Sequence, residues 1–499
     1  MPATYNPPVA ATFQFEHSLS FAPERTAETL RTIPSLPGVF ALRGADESAQ
    51  PYLTRAANLQ RRMQRLLAPK EMVDAEGKPQ LSKRLNLSTR VARIDYTITG
   101  SEFESLLVLY RASAAIFGLD EARRRLKLRT PYFLRFAAEN AFPRLYTTNR
   151  LSKRSLAHTY GPFPSRAVAD RYCEVVEDLF LIRRCHEELH PAPDHPGCIY
   201  GEMGKCLAPC NRAQIPAEAA AYSAEAAAVA AFLSTRGESL LTKLTAEREQ
   251  ASTDLNFERA AEVHTQIQKV KAAIALSDDI VAPVPQLRAM IVQKAAAREA
   301  DSSAFDSRRT LRNDKQEVAE AAVSHEEPMA ALFLLEAGCL FGPVSLSTLG
   351  VRAVREQTSV GSSLFAQPLM LEAVPLAEDG AAIPAPTPVE SPEARAEAAI
   401  ASLQSQFAES STPDLATLSD HLSLLRRWYY RPEKQRSGEI FFPKADNSSR
   451  DASSWPVRRI LRAAARAALG EPTLLPDVHR NLAQKNPAPA ETLPDSPAT

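Results

Sequence analysis

Residues 185–210 read CHEELHPAPDHPGCIYGEMGKCLAPC, and they hold four of the six cysteines of this 499-residue chain. Cys185, Cys198, Cys206 and Cys210 follow the spacing Cys-x12-Cys-x7-Cys-x3-Cys. Four thiolates concentrated in this way suit a soft metal ion or an iron–sulfur cluster, and the pattern alone does not separate zinc from 4Fe–4S. Two disulfides are the alternative, but Met1–Ala11 does not read as a secretory signal. We therefore expect a cytoplasmic protein whose reduced thiols bind a metal or cluster.

Composition limits the class of protein further. A chain of 499 residues holds roughly three or four domains, at about 150 residues each. No apolar run approaches the ~20 residues needed to cross a bilayer, so no membrane partner is expected. Basic and acidic residues both number 59, so net charge identifies no partner.

Local charge is more informative than net charge. A basic run at residues 123–129 continues in Arg150, Lys153 and Arg154, with tyrosines interleaved. Cations and aromatic rings in one stretch can follow a phosphate backbone. We take Arg150, Lys153 and Arg154 as candidate DNA contacts; a solvated helix face explains the charge equally well.

The N-terminal region predicts a small α/β unit. Strand-like runs at 39–42 and 52–53 are separated by a turn, and a helix begins near Asn58. Pro-Gly-Val-Phe, followed by Tyr-Leu-Thr-Arg-Ala-Ala-Asn-Leu-Gln-Arg-Arg, resembles the GIY-YIG nuclease core of UvrC, the incision subunit of bacterial nucleotide excision repair. The resemblance implies catalytic positions for Tyr52, Arg55 and Arg62. It also implies that Mg²⁺ or Mn²⁺ is a cofactor, but only if the nuclease is active.

Departures from that motif predict that the chemistry has been lost. Phe40 replaces the first tyrosine and Thr54 replaces the glycine. Leu109 stands where the resemblance implies a metal-binding glutamate, and leucine offers no hard oxygen to a divalent ion. Glu102 and Glu104 are candidate substitutes, although each lies in a different helical register from Leu109.

The approach to the cysteines also resembles UvrC. The resembling stretches are Thr-Tyr-Gly-Pro-Phe-Pro-Ser at 159–165, a helix over 167–180, Leu-Ile-Arg-Arg-Cys at 181–185 and Gly-Lys-Cys-Leu-Ala-Pro-Cys at 204–210. UvrC proteins carry a 4Fe–4S cluster, so the resemblance favours this cofactor over zinc. The implied ligands are Cys185, Cys198, Cys206 and Cys210.

Three helices are predicted next, over 217–234, 238–252 and 256–276, with a break at Gly237. The third begins Leu-Asn-Phe-Glu-Arg-Ala-Ala-Glu at 255–262 and resembles the UVR motif, whose helical hairpin pairs with a counterpart on UvrB. A helical pair packed only within its own chain is the alternative. The implied partner-binding residues are Leu255, Phe257, Ala260, Ala261 and Ile267.

The C-terminal half predicts a β-hairpin around Ala337-Gly338, a Pro/Ala-rich loop over 373–392 and helices over 393–407 and 415–430. Residues 424–443 faintly resemble the segment that precedes the RNase H-like domain of UvrC. A basic helix around 458–469 and a disordered tail follow. We find no match to the RNase H-like and helix–hairpin–helix domains, so a second incision centre is not expected.

Together these features predict an α+β multidomain protein with a GIY-YIG-like α/β sandwich, a small four-cysteine region, a helical hairpin and a C-terminal α+β domain. The predicted boundaries are 1–28 for an N-terminal extension, 29–115 for the degenerate nuclease-like domain, 116–215 for the basic linker and cysteine region, 216–280 for the hairpin, 281–445 for the α+β domain and 446–499 for the basic helix and tail.

The predicted function is a UvrC-like repair component that binds a UvrB-like protein and DNA with impaired or lost incision. A single-incision GIY-YIG endonuclease acting on damaged DNA is the alternative. A redox-responsive cluster protein unconnected with repair would require the nuclease and hairpin resemblances to be accidental.

Overall fold

The computed structural model of the protein describes residues 13–46, 48–68, 72–73, 79–80, 85–296, 328–351, 391–410, 414–432, 435–443 and 454–470. Within these residues, helices are combined with three four-stranded sheets and one two-stranded hairpin. The predicted α+β multidomain class is confirmed. None of the described helices is long and apolar enough to cross a membrane.

The first sheet is built from the N-terminal residues. Its strands are β1 (His17–Ser20), β2 (Gly38–Arg43), β3 (Tyr52–Ala56) and β6 (Arg93–Ile98), in the antiparallel order β1-β6-β2-β3. A short hairpin joins β4 (Met72–Val73) to β5 (Pro79–Gln80). The helices of this region are α1 (Thr26–Thr32), α2 (Leu59–Leu67) and α3 (Glu102–Phe117). Strand β1 falls inside the predicted N-terminal extension, so the sheet begins earlier than the sequence indicated.

Helix α2 begins where the sequence predicts because Asn58 caps it. The Asn58 side chain accepts a hydrogen bond from the backbone N–H of Arg61 at 2.8 Å, which satisfies a donor that the helix itself leaves unpaired. Leu59, Met63 and Leu66 are buried along one face. The opposite face carries only arginine and glutamine.

The second sheet forms the centre of the chain. Its strands are β7 (Tyr132–Phe136), β8 (Leu145–Thr148), β9 (Thr159–Phe163) and β10 (Ala282–Pro283), in the order β10-β9-β7-β8. Helix α4 (Leu119–Leu126) precedes it, and α5 (Arg166–Glu177) packs on β7 and β8. The cysteine region follows α5 and contains two short helices, α6 (Ile199–Glu202) and α7 (Pro209–Arg212).

Three long helices come next, as predicted. They are α8 (Pro216–Ser234), α9 (Glu238–Thr253) and α10 (Phe257–Ile274). The break between α8 and α9 is at Gly237, whose φ is +90°. A β-carbon there would lie 2.5 Å from the side chain of Ile274, so glycine is required both by the backbone and by the space. Helices α9 and α10 pack together as a hairpin.

The third sheet contains the predicted C-terminal hairpin. Its strands are β11 (Arg288–Lys294), β12 (Met329–Glu336), β13 (Cys339–Ser347) and β14 (Glu439–Phe441), in the order β13-β12-β11-β14. The helices of this region are α11 (Pro392–Glu409), α12 (Leu415–Tyr429) and α13 (Val457–Leu469). The predicted loop up to residue 390 and the tail from residue 471 lie outside the described residues.

Helix α13 is the predicted basic helix, and it belongs to this third region. Ile460, Leu461 and Ala464 are buried in a core shared with β11, β12 and α11. Its Arg466 donates to both carboxylate oxygens of Glu439 in β14, at 2.8 and 2.9 Å. The helix is therefore an integral layer over the third sheet.

Helix α12 connects the three regions. Its Asp420 accepts a hydrogen bond from the Tyr110 hydroxyl of α3 at 3.0 Å, and its Arg426 donates to the Pro164 carbonyl after β9 at 2.8 Å. The Trp428 ring lies 5.2 Å from that of Phe103. These contacts join α3, the central sheet and one face of the third sheet in one hydrophobic core.

Candidate functional site

The four predicted cysteine ligands come together although little regular structure surrounds them. Cys206 and Cys210 are buried, Cys185 and Cys198 are half-buried, and all four are free thiols. Two backbone hydrogen bonds join the separate segments, from the Leu207 N–H to the Leu181 carbonyl at 3.1 Å and from the Ala192 N–H to the Cys210 carbonyl at 3.0 Å.

The other three clustered thiols affect the titration of Cys206. Burial raises the pKa of the Cys206 thiol to about 11, and negative charge on Cys198, Cys185 and Cys210 raises it further. The Ala208 backbone N–H donates to the Cys206 sulfur at 3.3 Å and opposes this shift. Because the thiolates repel one another, a cation among them would be needed to keep them all deprotonated.

A buried arginine lies two residues before Cys185 in the sequence. Arg183 is 5% exposed, and its Nε has no hydrogen-bond partner among the described residues. Its Nη2 donates only to the Glu187 carbonyl, at 3.2 Å. The backbone N–H of Arg183 donates to the Tyr222 hydroxyl at 3.1 Å. A buried guanidinium without a carboxylate needs another source of negative charge, and a four-thiolate metal centre would provide it.

The residues present therefore fit a thiolate-bound metal or cluster in their chemistry. In the described part of the chain, no three His, Cys, Asp or Glu side chains already stand in a metal-holding arrangement. The remaining cysteines lie elsewhere: Cys173 in α5 and Cys339 in β13 are buried, and burial raises the pKa of both thiols. Their surroundings are those of structural residues.

The nuclease-like motif brings two of its three predicted residues into contact. An Arg62 Nη2 donates to the Tyr52 hydroxyl at 3.2 Å. The two substituted positions also meet, because Phe40 of β2 is the cross-strand partner of Thr54 of β3. Phe40 is fully buried, and its ring centroid lies 6.3 Å from that of Tyr52. Thus Phe40 fills core space and offers no hydroxyl to the site.

The third motif residue, Arg55, binds a carboxylate of the same chain. Its Nη2 lies 2.8 Å from Glu102 Oε1. Arg431, just beyond α12, donates to both oxygens of Glu102 at 2.5 and 3.0 Å. The hydrogen bond from Arg431 is the main reason that the pKa of Glu102 falls to about 2, and Arg55 adds to the effect against the cost of burial. Two guanidiniums thus neutralise this candidate metal ligand.

Glu104 is engaged in a helix cap. Its Oε2 accepts from the Gly100 backbone N–H at 2.7 Å, and its own N–H donates to Ser101 Oγ at 3.1 Å, as in a capping box. Burial raises the pKa of Glu104 to about 7. Leu109 is 8% exposed and packs in a small apolar cluster with Val39. None of these three positions presents a free carboxylate to solvent.

The helical hairpin separates the predicted partner-binding residues into two groups. Leu255 is 72% exposed and Phe257 is 66% exposed at the start of α10, and Ala261 is also exposed. Ala260 is half-buried. Ile267 is 3% exposed and belongs to the core face of α10. Ile267, named above as a partner-binding residue, instead faces the core of its own chain, because the buried stripe of α10 runs through Val263, Ile267 and Val270.

The predicted DNA contacts all lie in the loop after β8. Arg150, Lys153 and Arg154 are exposed, and among the described residues none of them forms an ion pair. The basic run on α4 differs from them. Arg123 lies 2.8 Å from Asp420, Arg125 lies 2.7 Å from Glu121, and Arg124 also pairs with Glu121. The loop is thus the better candidate for binding phosphates.

Sequence reasoning missed Arg183 and Arg431. Arg183 had a local signal, since it lies two residues before the first cysteine in a segment whose neighbour Ile182 is also buried. No local signal in the sequence pointed to Arg431, because its partner Glu102 lies 329 residues away.

Two family models match this chain. They describe the UvrC/Cho excinuclease middle domain, matched over residues 132–232, and the UvrB/uvrC motif, matched over residues 238–273. The first match runs from β7 into α8 and includes all four clustered cysteines. The second covers the hairpin of α9 and α10.

Individual relatives show the same similarity. The chain is 29% identical over 246 residues to the UvrABC system protein C of Salmonella paratyphi B, and the proteins of Salmonella heidelberg and Salmonella schwarzengrund match at 29% as well. The matches cover 48% of this chain and 37% of each relative, so the chain spans little more than a third of their length. No solved structure matches it. In its middle domain and its hairpin motif, this chain is similar to UvrC proteins.

Proposed function

We propose that this protein is a component of bacterial nucleotide excision repair that docks on a UvrB-like protein, contacts DNA, and has impaired or lost incision activity. The exposure of Leu255 and Phe257, within the stretch that matches the UvrB/uvrC motif, carries the docking part of the proposal. Neighbouring large apolar side chains that remain in solvent are typical of a protein interface.

Complex formation with a UvrB-like protein tests this docking surface. The change Phe257→Asp places a charge at the exposed position and should abolish the complex in gel filtration and in a DNA supershift. The matched control is Leu349→Asp, at another exposed apolar residue outside the hairpin. A folded Phe257→Asp protein that binds like the wild type would rule out docking through this surface.

The carboxylates near the motif support loss of incision. A divalent metal in phosphodiester cleavage needs hard oxygen ligands. Glu102 is neutralised by Arg55 and Arg431, Glu104 caps α3, and Leu109 is apolar and buried. With no free carboxylate among them, the domain serves as a scaffold that binds without cutting.

A single-incision endonuclease remains the second candidate, and the contact between Tyr52 and Arg62 favours it. The test is nicking of lesion-bearing duplex DNA with a UvrB-like protein, ATP and Mg²⁺ or Mn²⁺, with an active UvrC as the positive control. We expect no cleavage. Metal-dependent nicking that disappears in Arg62→Ala would establish the endonuclease instead.

For the cysteine region we propose a 4Fe–4S cluster, with zinc as the alternative, held by the four clustered cysteines. The cluster would supply metal–thiolate cross-links to a loop that has little core of its own. In this proposal, Arg183 compensates the negative charge of the thiolate-bound centre, and the Ala208 N–H orients the Cys206 sulfur. Arg150, Lys153 and Arg154 are the proposed DNA contacts of the same region.

A further inference from the structure

Three arginines from two helices line one open cavity beside the nuclease-like sheet. Arg31 lies in the last turn of α1, and Arg61 and Arg65 lie one turn apart on α2. The cavity between the helices measures about 640 Å³. Its remaining lining residues are Ala27, Leu30, Gln64 and Ala68. No acidic residue takes part. We refer to Arg31, Arg61 and Arg65 as the arginine cleft.

The frame of the arginine cleft is fixed by hydrogen bonds between its two helices. Gln60 Nε2 donates to the Leu30 carbonyl at 3.1 Å, and Gln60 Oε1 accepts from Ser35 Oγ at 2.7 Å. Met63 and Leu66 anchor the other face of α2 in the core. The cations therefore project from a rigid surface, which lowers the entropic cost of binding a ligand.

Among the described residues, no carboxylate neutralises the three guanidiniums. Throughout the described residues, no ion pair or side-chain hydrogen bond involves Arg31, Arg61 or Arg65. Helix α2 carries three arginines and no acidic residue in nine positions. Like charges at i and i+4 repel one another. An anionic ligand would remove this repulsion, whereas the arginines of α4 already have carboxylate partners.

The cleft continues towards the motif residues. Arg65 also lines a second cavity, of about 430 Å³, together with Tyr52, Arg62, Leu66 and Leu85. Positively charged side chains therefore line both cavities, from Arg31 on α1 to Arg62 on α2. A row of charges separated by helical turns suits a ligand with repeated negative charge better than a single small anion.

We propose that the arginine cleft binds successive backbone phosphates of DNA and leads the strand to Tyr52 and Arg62. That the polyanion is DNA rests on the proposed function. The cleft is separate from the loop that carries Arg150, Lys153 and Arg154. A nuclease-like domain without its metal ligand would thereby still contribute DNA affinity.

The salt dependence of duplex DNA binding tests this proposal. Fluorescence anisotropy is measured on the full chain over a series of salt concentrations, without a UvrB-like protein. Each lost phosphate contact lowers the slope of log K against log [salt] by about 0.9. The triple change Arg31→Gln, Arg61→Gln and Arg65→Gln should thus lower the slope by about 2 to 3 units. The folded state is checked by thermal unfolding.

The matched control removes the same charge elsewhere, by Arg90→Gln, Arg171→Gln and Arg462→Gln at exposed arginines. We expect its slope to stay within about half a unit of the wild type. Equal slopes for the cleft variant and the wild type, or no DNA binding by the wild type, would overturn the proposal. Phe257→Asp should keep the full slope, so a failure of docking can be told apart from a failure of the arginine cleft.

Discussion

Arg431 holds the Glu102 carboxylate with two hydrogen bonds, at 2.5 and 3.0 Å, across 329 residues of sequence. Glu102 opens α3, in the helix where the UvrC resemblance places a metal ligand, and Arg431 follows α12 in the C-terminal region. The contact therefore joins the start of α3 to the C-terminal region. The same contact lowers the pKa of Glu102 at the start of α3.

The change Glu102→Gln should remove an acid-sensitive part of the stability. The folded-state pKa of about 2 lies below the ordinary 4.5, so this carboxylate stabilises the fold above pH 4.5 and loses that effect as pH falls towards 2. The ion pair is partly exposed, so we expect a difference of about 1 kcal/mol or less. Urea unfolding at pH 6 and pH 3 measures it. Glu397→Gln, on an exposed face of α11, is the control. A wild-type advantage that persists unchanged at pH 3 would contradict the expectation.

The change Glu104→Gln should act in the opposite direction. Burial raises the folded-state pKa to about 7, so the wild type loses stability as pH rises from 4.5 to 7. The shift corresponds to roughly 3 kcal/mol. Glutamine can still accept from the Gly100 N–H, so the variant should be the more stable protein at pH 8 and lose its advantage at pH 4. If Glu104 kept its ordinary pKa in the folded state, the unfolding free energies of wild type and variant would change with pH in parallel.

The change Cys206→Ala should release the proposed cofactor. Anaerobically purified wild type is expected to contain iron and acid-labile sulfide, or zinc in the alternative case. The variant should contain much less of either, because three thiolates hold such centres more weakly than four. The matched control is Cys339→Ala in β13, also a buried cysteine. Metal analysis with a sulfide assay decides between cluster and zinc. Equal contents in all three proteins would show that Cys206 is not a ligand.

The change Arg183→Met should weaken retention of the same centre. It removes the buried positive charge two residues before Cys185, while it keeps much of the side-chain volume. Loss of an outer residue of this kind lowers metal affinity by about 10- to 100-fold. Arg212→Met is the control, since Arg212 is exposed and lies equally close in sequence to a cysteine. Chelator competition measures the affinity, and identical curves for the two variants would show that Arg183 is not the counter-charge.

The hairpin offers a comparison of two apolar residues on one helix. Ile267→Ala removes a buried side chain and should cost about 2 to 5 kcal/mol of unfolding free energy. Phe257→Ala alters an exposed side chain and should change stability by less than about 0.5 kcal/mol. Denaturant unfolding measures both. A large loss of stability in Phe257→Ala would mean that Phe257 packs within its own chain, as the alternative reading of the hairpin holds.

Local structure was predictable here because its causes are local. Asn58 caps α2, the apolar spacing of Leu59 and Met63 places that helix on the sheet, and Gly237 separates α8 from α9. Contacts between distant segments had no such signal. Periodicity cannot show that Arg431 reaches Glu102, or that Ile267 faces inward while Phe257 remains in solvent.

Helix α12 has a consequence for the order in which the chain folds. Phe103 and Tyr110 of α3 contact Trp428 and Asp420 of α12. These partners are synthesised about 300 residues later. Contacts of such long sequence separation form late and slowly. One face of α3 must therefore stay exposed until α12 has emerged. A fragment that ends before Leu415 would keep this incomplete surface permanently, and it would be more prone to aggregate than the whole chain.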